Sequence, residues 1–325
     1  MNRLVYEMVV PAAALFAPWE ATDMMYTRVA DSLKGVSATI TTPFTKDLAE
    51  VDTNALTKNL EYLVREGIKM VVPCGNTGEF YSLSESEWKQ VVEVTVNGVS
   101  GNAVVMAGVG LSMTAAKKMM QQAESLGADG VMVMYPQHVF SSEEGLLNYL
   151  REILDAAGSL GVVLYKKGPL LSDTVLDSIV GHQRLVGVKY AFGRIVDFAR
   201  TVQTLGNSIV WSCGTAERFA PFFWLAGARG FTSGLANFAP KVSLSMHEAL
   251  EQGNYERAME LQTLISELEF QREGRGTANN VPVVKALMDH IGLVGGNCRP
   301  PIHPLSRNEK ELAIQAIADW GLVRS

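Results

Sequence analysis

The 325-residue sequence predicts an α/β chain folded as a closed (β/α)₈ TIM barrel with a C-terminal helical appendage. Three observations carry that prediction. Short apolar runs rich in β-branched residues recur eight times, amphipathic stretches separate them, and the alternation continues unbroken over roughly 200 residues, the span eight βα units need. A doubly wound open sheet is the competing arrangement, but it usually carries a glycine-rich dinucleotide turn after its first strand. Here the first run leads into Thr41-Thr42-Pro43-Phe44, which offers no phosphate cradle.

Strands are predicted over 37–41, 70–74, 104–107, 130–134, 162–165, 185–189, 209–213 and 230–232. Helices are predicted over 54–65, 85–96, 114–126, 143–157, 173–180, 196–205 and 217–226. Ser84 followed by Glu87 is a capping-box pattern, in which each residue satisfies an orphan N–H of the helix start. Gly127 and Gly227 close their helices just before the next strand. Beyond the last strand, 241–270, 281–290 and 308–320 read as helices of the appendage. The chain thus divides into an N-terminal leader (1–33), expected to be disordered, a barrel (34–240) and a helical region packed on it (241–325). The apolar run from Val9 to Ala17 is short, interrupted by Pro11 and preceded by only Arg3, so it reads as a loose leader rather than a secretory signal. A start codon called too early, with Met24 and Met25 following, is a further reading of it.

Composition narrows the function classes. The net charge of −6 has both signs scattered along the chain, with no basic block of the kind a nucleic-acid binder needs. No apolar run reaches the length of about 18 residues that a membrane span requires. Cys74, Cys213 and Cys298 lie far apart, which suggests neither a disulfide framework nor a zinc cluster and fits a reduced, cytoplasmic setting.

In a barrel the chemistry sits at the C-terminal ends of the strands. Lys189 ends an apolar strand, Leu185-Val186-Gly187-Val188, and a lysine there is costly unless paired or held neutral. A neutral amine can attack a carbonyl to give an iminium. Equally, the side chain could snorkel out at the barrel mouth or pair with Glu79. The turn Gly75-Asn76-Thr77-Gly78-Glu79 follows the second strand; its glycines allow tight folding that aims N–H groups at a carboxylate, and Thr77 adds a hydroxyl. It could also be an ordinary turn with Glu79 capping a helix. Tyr165 ends the fifth strand beside the sixth, where a phenol could act as general acid or base or simply be a core residue. Cys74 and Cys213 read as packing residues rather than nucleophiles.

Together these motifs resemble the dihydrodipicolinate synthase / N-acetylneuraminate lyase family of class I aldolases, from about Gly35 to the C-terminus. Thr41-Thr42-Pro43-Phe44, Gly75-Asn76-Thr77-Gly78-Glu79, Leu164-Tyr165 and Gly187-Val188-Lys189 are similar to four family motifs in the same order. The resemblance implies that Lys189 forms a Schiff base with pyruvate or a related 2-oxo acid, with Tyr165 and Thr77 moving protons. It implies substrate binding by Gly75, Asn76, Gly78, Glu79, Ser233 and Gly234, no metal or cofactor, and a homodimer or homotetramer. Two departures bear on the substrate. The family's synthases carry an arginine shortly after the tyrosine; here the segment is Tyr165-Lys166-Lys167-Gly168-Pro169-Leu170-Leu171, leaving Lys166 or Lys167 as a point charge. Their paired tyrosines after the fourth strand are also missing, because Tyr135 comes too early. The segments 78–83, 215–217 and 233–238 are instead similar to 5-dehydro-4-deoxyglucarate dehydratases, which eliminate water and carbon dioxide from a sugar acid. Two rivals are a metal-dependent aldolase, which the five scattered histidines disfavour, and a non-catalytic protein that binds a 2-oxo acid.

Overall fold

A computed structural model describes residues 26–322. Eight parallel strands close into a barrel in sequence order: β1 (Val36–Thr39), β2 (Met70–Val72), β3 (Val104–Gly110), β4 (Gly130–Met134), β5 (Gly161–Lys166), β6 (Leu185–Tyr190), β7 (Val210–Cys213) and β8 (Gly230–Ser233). Closure comes from β1 pairing with β8, with Ser37 opposite Thr232. Every strand residue is buried, because lumen-facing side chains pack on one another while the outward ones meet the helix ring.

The surrounding helices are α2 (Thr53–Arg65), α3 (Glu85–Val99), α4 (Met113–Ser125), α5 (Glu143–Asp155), α6 (Asp173–Asp177), α7 (Ile195–Leu205) and α8 (Ala220–Leu225). Their starts follow from capping chemistry. Asp52, Ser84, Ser112, Ser142 and Ser172 each accept a hydrogen bond from an N–H in the first turn, and Ser84 with Glu87 forms the expected capping box. The appendage comprises α9 (Pro240–Glu251), α10 (Tyr255–Glu273), α11 (Asn280–His290) and α12 (Arg307–Gln315).

Three sequence expectations need correction. Residues 241–270 form two helices rather than one: Gly253 takes a left-handed φ of 69°, and Asn254 then caps α10 by accepting from Arg257 N–H. The first strand stops at Thr39 instead of Thr41, because Thr41 and Thr42 turn away to bond Asn237 and the Gly78 carbonyl. Thr27–Leu33, assigned to the disordered leader, is helix α1, which buries Val29, Ala30 and Leu33 against the N-terminal ends of the strands. Gly187 makes room for it, since a Cβ there would lie 2.6 Å from Leu33 Cδ2. Arg28 anchors the helix to Asp129 at 2.6 Å. The rest of the leader, residues 1–25, lies outside the described residues. Among the described residues, no helix is long and apolar enough to cross a membrane.

Candidate active site

At the C-terminal end of the barrel a cleft of about 550 Å³ opens between the strand ends and the appendage. Strand pairing sets its chemistry. Tyr165 on β5 lies in register with Lys189 on β6, so the two side chains emerge side by side into the lumen. Lys189 Nζ sits 4.0 Å from the centre of the Tyr165 ring. The next residue on each strand points the other way. Lys166 is buried over the rings of Tyr190 and Phe192 and donates to the Leu171 carbonyl, while Tyr190 packs edge-on against Phe198.

Lys189 is 6% exposed and has no carboxylate partner among the described residues. Burial brings its pKa down to about 8; the nearby Lys167 charge pushes the same way, against an opposing influence from Cys213. A substantial share of the amine is therefore neutral near pH 7–8. Of the alternatives left open by the sequence, neither pairing with Glu79 nor snorkelling describes its position. Tyr165 is equally buried, and desolvation raises its pKa despite a hydrogen bond with the Asn76 side chain. Cys74 and Cys213 are fully buried, and desolvation raises the pKa of both, to about 12 for Cys213, as suits packing residues.

The turn after β2 brings Asn76 and Thr77 to the cleft wall. It is closed by Glu79 N–H bonding the Asn76 carbonyl and Phe80 N–H bonding the Gly75 carbonyl, not by the N–H groups of Asn76, Thr77 or Gly78. Gly78 is required by close approach: a Cβ would lie 3.0 Å from both Cys74 N and Ile40 O. Thr77 donates to Thr39 Oγ1 at 3.1 Å, and Thr39 donates on to the Ser233 carbonyl at 3.1 Å. Asn237 ties the same corner together, bonding Thr39 O, Gly234 O and Thr41 N–H.

The structure thus brings Lys189, Tyr165, Thr77, Asn76 and Gly234 to one cleft. It does not bring the others. Gly75 and Gly78 shape the turn from beneath, and Ser233 is buried, its hydroxyl bonding Ala236 N–H and Ser243. Glu79 faces away from the mouth: Lys285 donates to one carboxylate oxygen and Arg299 N–H to the other, with both side chains of the ion pair fully enclosed. Tyr135 is buried beside the backbone of Lys167 and Leu171 rather than at the mouth. Sequence reasoning missed Thr39, Arg218, Glu269 and Arg272 on the cleft wall. Thr39 was readable as a strand end, whereas the other three have no local motif. Among the described residues, no three His, Cys, Asp or Glu side chains are grouped to hold a metal ion.

Comparison with known proteins settles the family. The profile described as Dihydrodipicolinate synthetase family matches residues 32–319. The chain belongs to that family. The dihydrodipicolinate synthetase family supplies lyases of the class I aldolase type, and this chain is one of them. Named relatives divide between two activities. A probable 5-dehydro-4-deoxyglucarate dehydratase of Bacillus subtilis is 32% identical over 266 residues, covering 80% of this chain and 85% of that protein. A 4-hydroxy-tetrahydrodipicolinate synthase of Methanopyrus kandleri is 31% identical over 297 residues, covering 90% and 97%. Among solved structures, a dihydrodipicolinate synthase from Bacillus clausii superposes with a TM-score of 0.87 at 37% identity, covering 90% of this chain and all of that one.

Proposed function

We propose that the chain forms a Schiff base between Lys189 and the carbonyl of a 2-oxo acid, and then makes or breaks a bond on the adjoining carbons. One observation carries this reading: a buried lysine without a carboxylate partner, its pKa near 8, stands 4.0 Å from a tyrosine ring inside an open cleft. The Nζ lone pair attacks the carbonyl carbon, the carbonyl oxygen departs as water after gaining two protons, and a protonated C=N bond remains. That iminium withdraws electrons, so a proton leaves the adjacent carbon to give an enamine. Tyr165 is placed to carry protons for these steps, and Thr77 with Thr39 forms a hydroxyl pair along the same wall. The N–H groups of Asn76 and Thr77, which line the cleft and are not used to close the turn, suit the substrate carboxylate, since consecutive amides in a tight turn form an anion nest.

The second half of the reaction is either aldol-type condensation or cleavage, or dehydration of a sugar acid. Dehydration is favoured by the β5 loop, where no arginine follows Tyr165 and only Lys167 stands near the mouth, bonded to the Tyr81 hydroxyl at 3.0 Å. We also propose assembly as a homodimer or homotetramer, supported by Val139 and Phe140, which stand 86% and 88% exposed beside the mouth. Light scattering at micromolar concentration tests that assembly, and a monomer would reject it.

Borohydride reduction in the presence of pyruvate tests the chemistry. Mass spectrometry should place a covalent gain at Lys189, absent in Lys189→Ala; no adduct with pyruvate or deoxy-sugar acids would falsify the reading. Tyr165→Phe should still be trapped while turnover falls by about 10²–10⁴-fold, the scale of a lost acid–base group. An unchanged rate would remove Tyr165 from the mechanism.

A further inference from the structure

The side-to-side alternation of β5 continues one residue past its end. Tyr165 faces the lumen, Lys166 turns outward over the rings of Tyr190 and Phe192, and Lys167 returns to the side of Tyr165. The Lys167 ammonium accordingly lies 5.6 Å from the centre of the same Tyr165 ring that Lys189 meets at 4.0 Å. Those two distances hold the ammoniums within about 10 Å of one another. Lys167 is kept in place by the Tyr81 hydroxyl, which accepts its hydrogen bond at 3.0 Å, and by the attraction of a cation for the Tyr165 ring.

No nearby anion cancels this charge. Lys167 lacks a carboxylate partner among the described residues, unlike the cations of the appendage, where Arg272 pairs with Glu269 and Arg218 with Glu273. The other titratable groups beside Lys189 are Tyr165 on β5 and Cys213 on β7. Burial raises the pKa of both, to about 12 for Cys213, so neither bears charge at neutral pH. Two cations held close together disfavour one another, and the one in the drier place gives up its proton first. Lys189 is 6% exposed, whereas Lys167 is half-buried. We infer that Lys167 is a positioning residue acting through Lys189: its charge, anchored by Tyr81, favours the unprotonated and nucleophilic amine. This rests on the Schiff-base reading of Lys189. It also gives a purpose to a cation that no carboxylate holds.

The test follows the initial rate of cyanoborohydride trapping at subsaturating pyruvate from pH 6 to 10, a profile that reports the amine of the free protein. The native profile should turn near pH 8. Lys167→Met should move the midpoint up by about 0.5–1 pH unit and cut the rate at pH 7 by about 3–10-fold, with the high-pH plateau at the native level. Lys167→Arg should keep the native midpoint, and Lys167→Glu should raise it beyond that of the methionine variant. A side chain that only packs would not order the midpoints by charge. A native midpoint in Lys167→Met overturns the inference. So does a lowered plateau with an unshifted midpoint, the result expected if Lys167 held the substrate carboxylate instead. Should the methionine variant lack a native melting curve, Lys167→Gln serves for the same measurement. If the native protein traps no pyruvate at any pH, the Schiff-base reading fails first, and this inference with it.

Discussion

Two buried lysines in this barrel have opposite roles, and the contrast shows what the fold stabilises and what it leaves strained. Lys285 on α11 is 1% exposed and ion-paired to Glu79, with a further hydrogen bond to the Asn297 carbonyl and the Phe44 ring 4.7 Å away. Its charge is fully answered. Lys189 is nearly as buried but meets a tyrosine face, a cysteine and another lysine, so burial works against its charge. The first lysine fastens the appendage to the turn after β2, while the second is kept reactive by the lack of such a partner. Arg299 extends the fastening: its N–H bonds Glu79, and its guanidinium joins Glu87 and the carbonyls of Leu48, Ala49 and Ser82.

Breaking the fastened pair should give the larger effect. Lys285→Met leaves Glu79 buried and uncompensated, and should destabilise by about 3–5 kcal/mol in urea unfolding. Adding Glu79→Gln should recover part of the loss; a single variant as stable as the native protein would show that the pair contributes nothing. The corresponding change at the other lysine should have the reverse sign. Because the folded pKa of Lys189 is near 8 and the unfolded value is near 10.5, the folded chain bears the full cost of the charge below pH 8. That cost fades as pH rises toward 10.5, so Lys189→Met should stabilise by about 2–3 kcal/mol at pH 7 and progressively less above pH 8. A destabilised Lys189→Met would mean that hidden partners compensate the amine. The smallest effect is kinetic. The initial rate of pyruvate trapping should climb up to about tenfold per pH unit below pH 8 and level off above it. A flat profile from pH 6 to 9 would contradict a neutral-amine nucleophile.

The same contrast explains what the sequence could reveal. Lys189 and Tyr165 were legible because strand ends point at the mouth by rule, and eight regular βα units make those ends easy to locate. Glu79 was misplaced because its partner, Lys285, lies far along the chain, and nothing local says which way a carboxylate at the end of a turn will face. Arg272 and Glu269 escaped for a related reason: they sit on α10, a long polar helix with no pronounced apolar face, where buried charges read like solvated ones until the helix is docked. Helix α1 was lost in the leader because seven residues are too few for a 3.6-residue period to stand out.

That short helix also bears on how the chain folds. Leu33 lies against Gly187 and Gly230, and Arg28 against Asp129, so residues made early are seated by strands made late. Loop-closure entropy must be spent as far as β8 before α1 gains all of these contacts. Its docking is therefore a late event that reports on closure itself. Hydrogen exchange in the amides of α1 should consequently track the opening of the β1–β8 seam rather than the fraying of a chain terminus.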